Sequence, residues 1–277
     1  MGISIERKKQ LSDLANQFRI DVLTTLHQIQ TGHPGGSLSS AEIMTTLYFE
    51  KLKVDAKNPR DPNRDRFVLG KGHAAPMLYM ILAEKGFFPK SELVTLRQIG
   101  SKLQGHPCAL KVPGIELSTG PLGLGLPAGL GMALAAKLDG LDYRTYVLMG
   151  DGELQEGIVW EAAMSAAKFK ADNLTVIVDN NGVQLDGTLE EIMPMGDIAA
   201  KWRAFGWHVI GIDGHQVDAI SDAVDEAKTV KGQPTVIIAK TVKGKGVSFM
   251  EGQSAWHGKP IGKDDYVNAM KELEVTL

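Results

Sequence analysis

The sequence predicts an α/β fold, a doubly wound and mostly parallel sheet with helices on both faces. Three observations predict it. Short apolar runs alternate with segments of helical spacing along most of the 277 residues. From Arg144 to Asp179 the pattern reads strand, helix, strand, the length of one βαβ unit. The runs Tyr146–Met149 and Leu174–Val178 lead into the polar clusters Gly150-Asp151-Gly152 and Asn180-Asn181. Asp151 and Asn181 are thereby placed at the carboxyl ends of two parallel strands, where open α/β sheets bind ligands.

Taken in order, Ile3 to Gln30 reads as a long helix, with Leu11, Leu14, Phe18, Val22, Leu26 and Ile29 at helical spacing. Thr31-Gly32-His33-Pro34-Gly35-Gly36 stops it, and a second helix starts near Ser39-Ser40 as N-cap. Asn58 to Arg66 is a polar surface loop and Phe67 to Leu69 a short strand. His73 to Lys85 is a helix that tolerates Pro76 in its first turn. Gly100 to Pro121 lacks periodicity, and a long loop in a compact domain is more often functional than idle. Leu122 to Leu138 is a helix of small residues, and Ile158 to Phe169 a helix with Trp160, Ala163, Met164 and Ala167 on one face. Trp207 to Ile212 and Thr235 to Ala239 are strands flanking a helix from Val217 to Lys228, and Asp264 to Leu273 is a short terminal helix. The whole span 1–277 reads as one domain.

The formal net charge of -3 implies no general attraction to nucleic acid or to anionic membrane. One cysteine, Cys108, permits no internal disulfide, which fits a cytoplasmic setting. The amino terminus is charged and amphipathic rather than a signal peptide, and no apolar run approaches the ~18 residues of a membrane span.

Asp151 and Asn181 supply a carboxylate and an amide oxygen, hard ligands suited to Mg²⁺. Gly150 and Gly152 let backbone approach a phosphate. Each half alone also fits a plain turn after a strand. Four of the seven histidines, His33, His73, His106 and His257, sit beside glycine in loop-like contexts, open to a ligand or simply solvated. Lys240-Thr241-Val242-Lys243-Gly244-Lys245-Gly246 follows a strand and could cradle a diphosphate or be a solvated basic loop. Gly123 to Gly129 has glycines spaced like a dinucleotide fingerprint, but a loop rather than a strand precedes it. Cys108 reads as incidental, and Glu153 as a surface residue or one standing behind the ligands.

Gly150-Asp151-Gly152, a spacer, then Asn181 resembles the signature of thiamine diphosphate enzymes; the continuation to Glu153-Leu154-Gln155-Glu156-Gly157 is similar to transketolases. Ser118-Thr119-Gly120-Pro121-Leu122-Gly123 matches the same family. The resemblance implies the thiamine diphosphate-binding fold and a Mg²⁺ or Ca²⁺ ion held by Asp151, Asn181 and the backbone carbonyl of Val183, which Gly182 lets the turn present. It implies that His33 and His257 contact reacting sugar oxygens and that His106 holds the donor's terminal hydroxyl. His73 would lie near the diphosphate, with Gly120, Pro121, Leu122, Gly150, Gly152, Asn181, Lys243 and His257 also against the cofactor. Many family members carry an apolar residue where Lys243 stands. Glu156 would lie at a subunit interface. His27, His208 and His215 match no such position.

The resemblance runs across the chain but covers only the amino-terminal, diphosphate-binding part of a single-chain transketolase. The glutamate that activates the cofactor and the arginines that bind substrate phosphate belong to the rest. A split enzyme is therefore expected, in which this chain pairs with a carboxyl-terminal subunit, two copies of each. It would move a two-carbon ketol unit between sugar phosphates. Two other readings stand beside it: another thiamine diphosphate enzyme with a different ketol donor, and a non-catalytic cofactor-binding protein.

Overall fold

The computed structural model describes residues 2–275; Met1, Thr276 and Leu277, within the span read as one domain, lie outside the described residues. Five parallel strands, β1 (Arg66–Leu69), β2 (Thr145–Gly150), β3 (Leu174–Asn180), β4 (His208–Asp213) and β5 (Thr235–Lys240), form one sheet in the order β1-β2-β3-β5-β4. Register aligns Gly150 with Asp179 and Asn180 with Lys240, so the chain leaves the three central strands side by side at one end.

Successive strand side chains point to opposite faces, and both faces are buried. Tyr146, Leu148, Ile177, Ile237 and Ala239 enter one core with α1 (Ile5–Ile29), α3 (Ala41–Thr46), α4 (Ala75–Glu84), α9 (Val217–Thr229) and α10 (Lys263–Val275). Val68, Val147, Met149, Val176, Val178 and Val236 enter the other, with α5 (Gly125–Asp139), α6 (Gly157–Lys168) and α8 (Ile198–Ala204). The near-continuous apolar character of β2 and β3 follows from this double burial. The doubly wound expectation holds.

The long helix α1 begins where the Ser4 hydroxyl accepts from the Arg7 N–H at 3.1 Å and ends at Gln30 in the left-handed region. Three local expectations need correction. Pro34-Gly35-Gly36 does not merely stop a helix; it opens α2 (Pro34–Leu38), with proline in the first turn, where its missing N–H costs nothing. In α6 the buried face is Val159, Ala162, Ala163 and Ala166, whereas Met164 is 56% exposed. Small alanines form the inner face, toward α5 and the shared core, so the bulkiest residues do not mark it. Two unexpected short helices follow β3. α7 (Leu189–Ile192) starts at a capping box of Thr188 and Glu191, and α8 at Asp197, whose carboxylate accepts from the Ala200 N–H at 2.9 Å. Among the described residues no helix is long and apolar enough to cross a membrane.

Candidate active site

The carboxyl ends of four strands meet at a cleft of about 300 Å³. Strand β1 delivers Lys71 and His73, β2 delivers Gly150, Asp151 and Gly152, β3 delivers Asn181 to Leu185, and β5 delivers Lys243. His33 comes from the junction of α1 and α2, His106, Gly120 and Leu122 from the long loop, and His257 from a 3₁₀ turn at Ser254–His257. Glu156, exposed at the N-cap of α6, stands on the rim. Pro121 is exposed and does not line the cleft, although Gly120 and Leu122 do.

An oxygen-rich corner lies between β2 and β3. The Asp151 carboxylate accepts from the Gly152 N–H at 2.8 Å and the Gly182 N–H at 2.5 Å. Among the described residues no cationic side chain bonds to it. Burial first, and Asp179 nearby, push its carboxyl up to about 6. The Asn181 amide oxygen accepts from the Val183 N–H at 3.0 Å, while Gly182 between them takes φ +76, a value L side chains rarely adopt. The Val183 carbonyl accepts from Lys243 Nζ at 3.1 Å, so an ammonium already rests on this oxygen; a carbonyl has a second lone pair to offer. A buried carboxylate without a counter-cation, beside an amide and a carbonyl oxygen, fits a hard divalent cation.

Lys243 spends its other N–H bonds on the Gln184 carbonyl at 3.0 Å and His257 Nδ1 at 3.1 Å. Burial, and then Lys71, lower its ammonium to about 8. An ammonium only donates. His257 Nδ1 is therefore the acceptor, and the ring's proton is on Nε2.

Four imidazoles pack together. His33 stands 5.7 Å from His73, 5.7 Å from His106 and 5.5 Å from His257, centroid to centroid, and His73 stands 4.7 Å from His257. Burial, reinforced by Arg97, lowers His33 to about 4; burial, reinforced by Lys243, lowers His257 to about 3. Burial and Lys71 hold His73 well below its ordinary value, and burial and Arg97 lower His106. At neutral pH the cluster is uncharged, able to donate from one ring nitrogen and accept at the other.

Beneath the cleft Lys71 donates to the Gly36 carbonyl at 2.8 Å, to the Ser40 hydroxyl at 3.1 Å and to the Asp179 carboxylate. Asp179 also accepts from Ser39 at 2.7 Å and from Thr241. Burial works against its charge, but Lys71 holds it below the usual carboxylate range. Lys71 escaped the sequence reading, and Glu153 was read as either a surface residue or one standing behind the ligands. Glu153 is 2% exposed rather than at the surface. It accepts from the Gly123 N–H at 2.9 Å and the Gly150 N–H at 3.1 Å, and burial pushes it up to about 7. It ties the Gly120–Gly123 loop to the end of β2. The signal for Lys71 was its position: a lysine directly after a strand, before Gly72-His73. His27 stacks on Tyr266, His208 pairs with Glu226, and His215 bridges Glu42 and the Val242 N–H, all outside the cleft.

The family described as transketolase, thiamine diphosphate binding domain, matches residues 10–275. The chain is 45% identical over 269 residues to the 6-deoxy-6-sulfo-D-fructose transketolase subunit SqwG of Clostridium sp. (strain MSTE9), covering 97% of this chain and 98% of that one. It is 44% identical over 248 residues to one of the subunits of the apulose-4-phosphate transketolase of Phocaeicola vulgatus, covering 90% of this chain and 88% of that one. The crystal structure of transketolase from Campylobacter jejuni superposes with a TM-score of 0.91 at 34% identity, covering 99% of this chain and 43% of that longer one.

Proposed function

This chain belongs to the transketolase family through its thiamine diphosphate binding domain, and we propose that it is the amino-terminal subunit of a transketolase whose activity requires a separate carboxyl-terminal chain. In this reading residues 1–277 form one diphosphate-binding domain, and the pyrimidine-binding and carboxyl-terminal domains are on the partner. The relatives named as subunits, each matched over nearly its full length, support a two-chain assembly. The observation that carries the functional reading is the meeting of the Asp151 corner with four uncharged histidines on one cleft.

Asp151, Asn181 and the Val183 carbonyl would hold Mg²⁺, or Ca²⁺, and the glycine backbone at 150 and 152 would face the diphosphate. When bound, thiamine diphosphate supplies the carbon nucleophile that takes up the two-carbon ketol unit. The protein's own part is to orient and to handle protons. His257, with its proton on Nε2, donates a hydrogen bond to a sugar oxygen and so stabilises negative charge developing on it. His106, the exposed member of the cluster, holds the donor's terminal hydroxyl. His33 acts beside His257, and His73 lies toward the diphosphate. Lys243 steadies both His257 and the Val183 turn. Glu156 on the rim meets the partner.

The finer proposal is transfer from a ketose phosphate to an aldose phosphate, as in the pentose phosphate pathway, by a cytoplasmic enzyme. A second reading, a different ketol donor, is favoured by the relatives named for sulfofructose and apulose phosphate. The test is capture of the chain from its own cells with Mg²⁺ and thiamine diphosphate present, followed by assay of ketol transfer from xylulose 5-phosphate to ribose 5-phosphate. Activity confined to a complex with a second chain is the expected result. Activity of the isolated chain would overturn the split reading. A complex active only with a sulfonated sugar or apulose phosphate would establish the second reading.

A further inference from the structure

Arg97 has an unusual setting. It lies in the loop between the 3₁₀ turn Lys90–Thr95 and His106, with φ at 62, a left-handed conformation costly for any residue but glycine. Its N–H donates to the Leu103 carbonyl at 2.8 Å, which closes the loop on itself. The guanidinium passes directly over Gly105: a Cβ there would stand 2.8 Å from Arg97 Nε, so the residue before His106 leaves the space the arginine needs. Among the described residues no carboxylate bonds to this guanidinium. Its contacts are the Thr31 hydroxyl, reached by Nη1 at 2.8 Å, and His33 Nδ1, reached by Nη2 at 3.2 Å.

A guanidinium only donates and keeps its charge throughout the ordinary pH range. His33 Nδ1 must therefore be the acceptor, leaving the ring's proton on Nε2. That nitrogen faces Gly258, next to His257, 4.0 Å from where a Cβ of Gly258 would stand. The arginine spans two loops that each carry a cleft histidine, His33 two residues after Thr31 and His106 one residue after Gly105.

We propose that Arg97 is a positioning residue for ketol transfer: it locks His33 as the Nε2–H tautomer, a fixed donor to a sugar oxygen, and holds the His106 loop against it. This rests on the transketolase reading above. His33 and His257 then present matching Nε2–H donors, each backed at Nδ1 by a cation of this chain, Arg97 and Lys243.

The test uses the full chain with Mg²⁺, thiamine diphosphate and its partner subunit. Arg97→Gly suits the left-handed backbone, so the turn survives while the guanidinium is lost; Arg97→Lys keeps a charge that cannot reach both acceptors. The expected result is a fall in kcat/KM for the ketose donor of about 10- to 100-fold in Arg97→Gly, by analogy with residues that orient metal-ligating histidines. The concentration of thiamine diphosphate giving half-maximal activity stays within about twofold, free guanidinium restores part of the loss, and Arg97→Lys recovers less than full activity. Nitrogen-15 spectra of labelled histidine, with His33 assigned by its loss in His33→Gln, read the tautomer independently of turnover. A single Nε2–H species in the wild type and a mixture in Arg97→Gly are expected. A proton on His33 Nδ1 in the wild type, or identical spectra and kcat/KM in both proteins, would overturn the proposal. A wild type with the expected tautomer but no ketol transfer on any sugar would overturn the functional reading and leave the histidine lock standing.

Discussion

Two groups of buried carboxylates lie on either side of the cleft floor, and they are treated oppositely. Below it, Glu42 and Asp179 are matched by cations of this chain. Burial disfavours the Glu42 charge, yet Arg19 at 2.6 Å and the His215 hydrogen bond at 2.9 Å bring its carboxyl down to about 2. Lys71 does the same for Asp179. At the cleft, Asp151 and Glu153 receive only backbone N–H groups, and burial drives them up to about 6 and about 7. The lower set is electrically complete; the upper set has no bonded counter-cation among the described residues. A framework can be told from a binding site by asking which buried charges lack a partner.

The sharpest way to break this contrast is to spoil the complete set. Lys71→Met leaves Asp179 buried without its counter-cation, held only by the Ser39 and Thr241 hydroxyls. We expect a loss of about 3–5 kcal/mol in denaturant unfolding, the usual cost of removing one half of a buried pair. A loss below about 1 kcal/mol would show that the pair is not what holds Asp179.

The incomplete set should behave the other way. Asp151→Asn is expected not to lower the unliganded melting temperature, and to raise it at neutral pH, while abolishing the stabilisation that Mg²⁺ with thiamine diphosphate gives the wild type. That gain is about 2.7 kcal/mol at a hundredfold excess over Kd. An Asp151→Asn protein still stabilised by the pair would remove Asp151 from the metal corner.

The pH dependence of unfolding sharpens the comparison further. The Asp151 carboxyl titrates near 6 when folded against an ordinary 3.8, so in that window the folded state holds more protons and this group's contribution falls as pH rises. Glu42 runs opposite: it titrates at about 2 folded against 4.5, so its contribution is present above 4.5 and lost as pH falls toward 2. Without Mg²⁺, Asp151→Asn should gain on the wild type between about pH 4 and 6, with a slope of at most about 1.4 kcal/mol per pH unit. Saturating Mg²⁺ should flatten the difference, and equal slopes in both proteins would contradict the assignment. The smallest effect belongs to the exposed pair Lys9 and Asp13, where Asp13→Asn should shift stability by no more than about 0.5 kcal/mol.

Much of the fold was legible along the chain because its signals are local. The apolar runs of β2 and β3, the heptad-like spacing of α1 and the glycine-bounded turns each report their own conformation. The inner face of α6 was misread because alanine carries little hydrophobic weight in a pattern yet is what this helix buries. Asp151, Asn181 and the four histidines stood out because they fall in motifs that resemble a known family, although each alone also fits a turn or a solvated loop. Lys71, Glu153 and Arg97 did not, since a lysine, a glutamate and an arginine are ordinarily solvated.

By itself the sequence determined that the chain alternates strand and helix, that β2 and β3 end in a carboxylate and an amide, and that four histidines are carried on loops. These depend on neighbours a few residues apart, so the order of residues suffices. Tertiary structure alone decided that β5 inserts beside β3, which brings Lys243 onto Val183. It decided that Arg97 reaches His33 across 64 positions, and which buried charges find partners. Strand order, proton position and the state of a buried carboxylate are set by distance in space and by lost water, and neither is a property of sequence spacing.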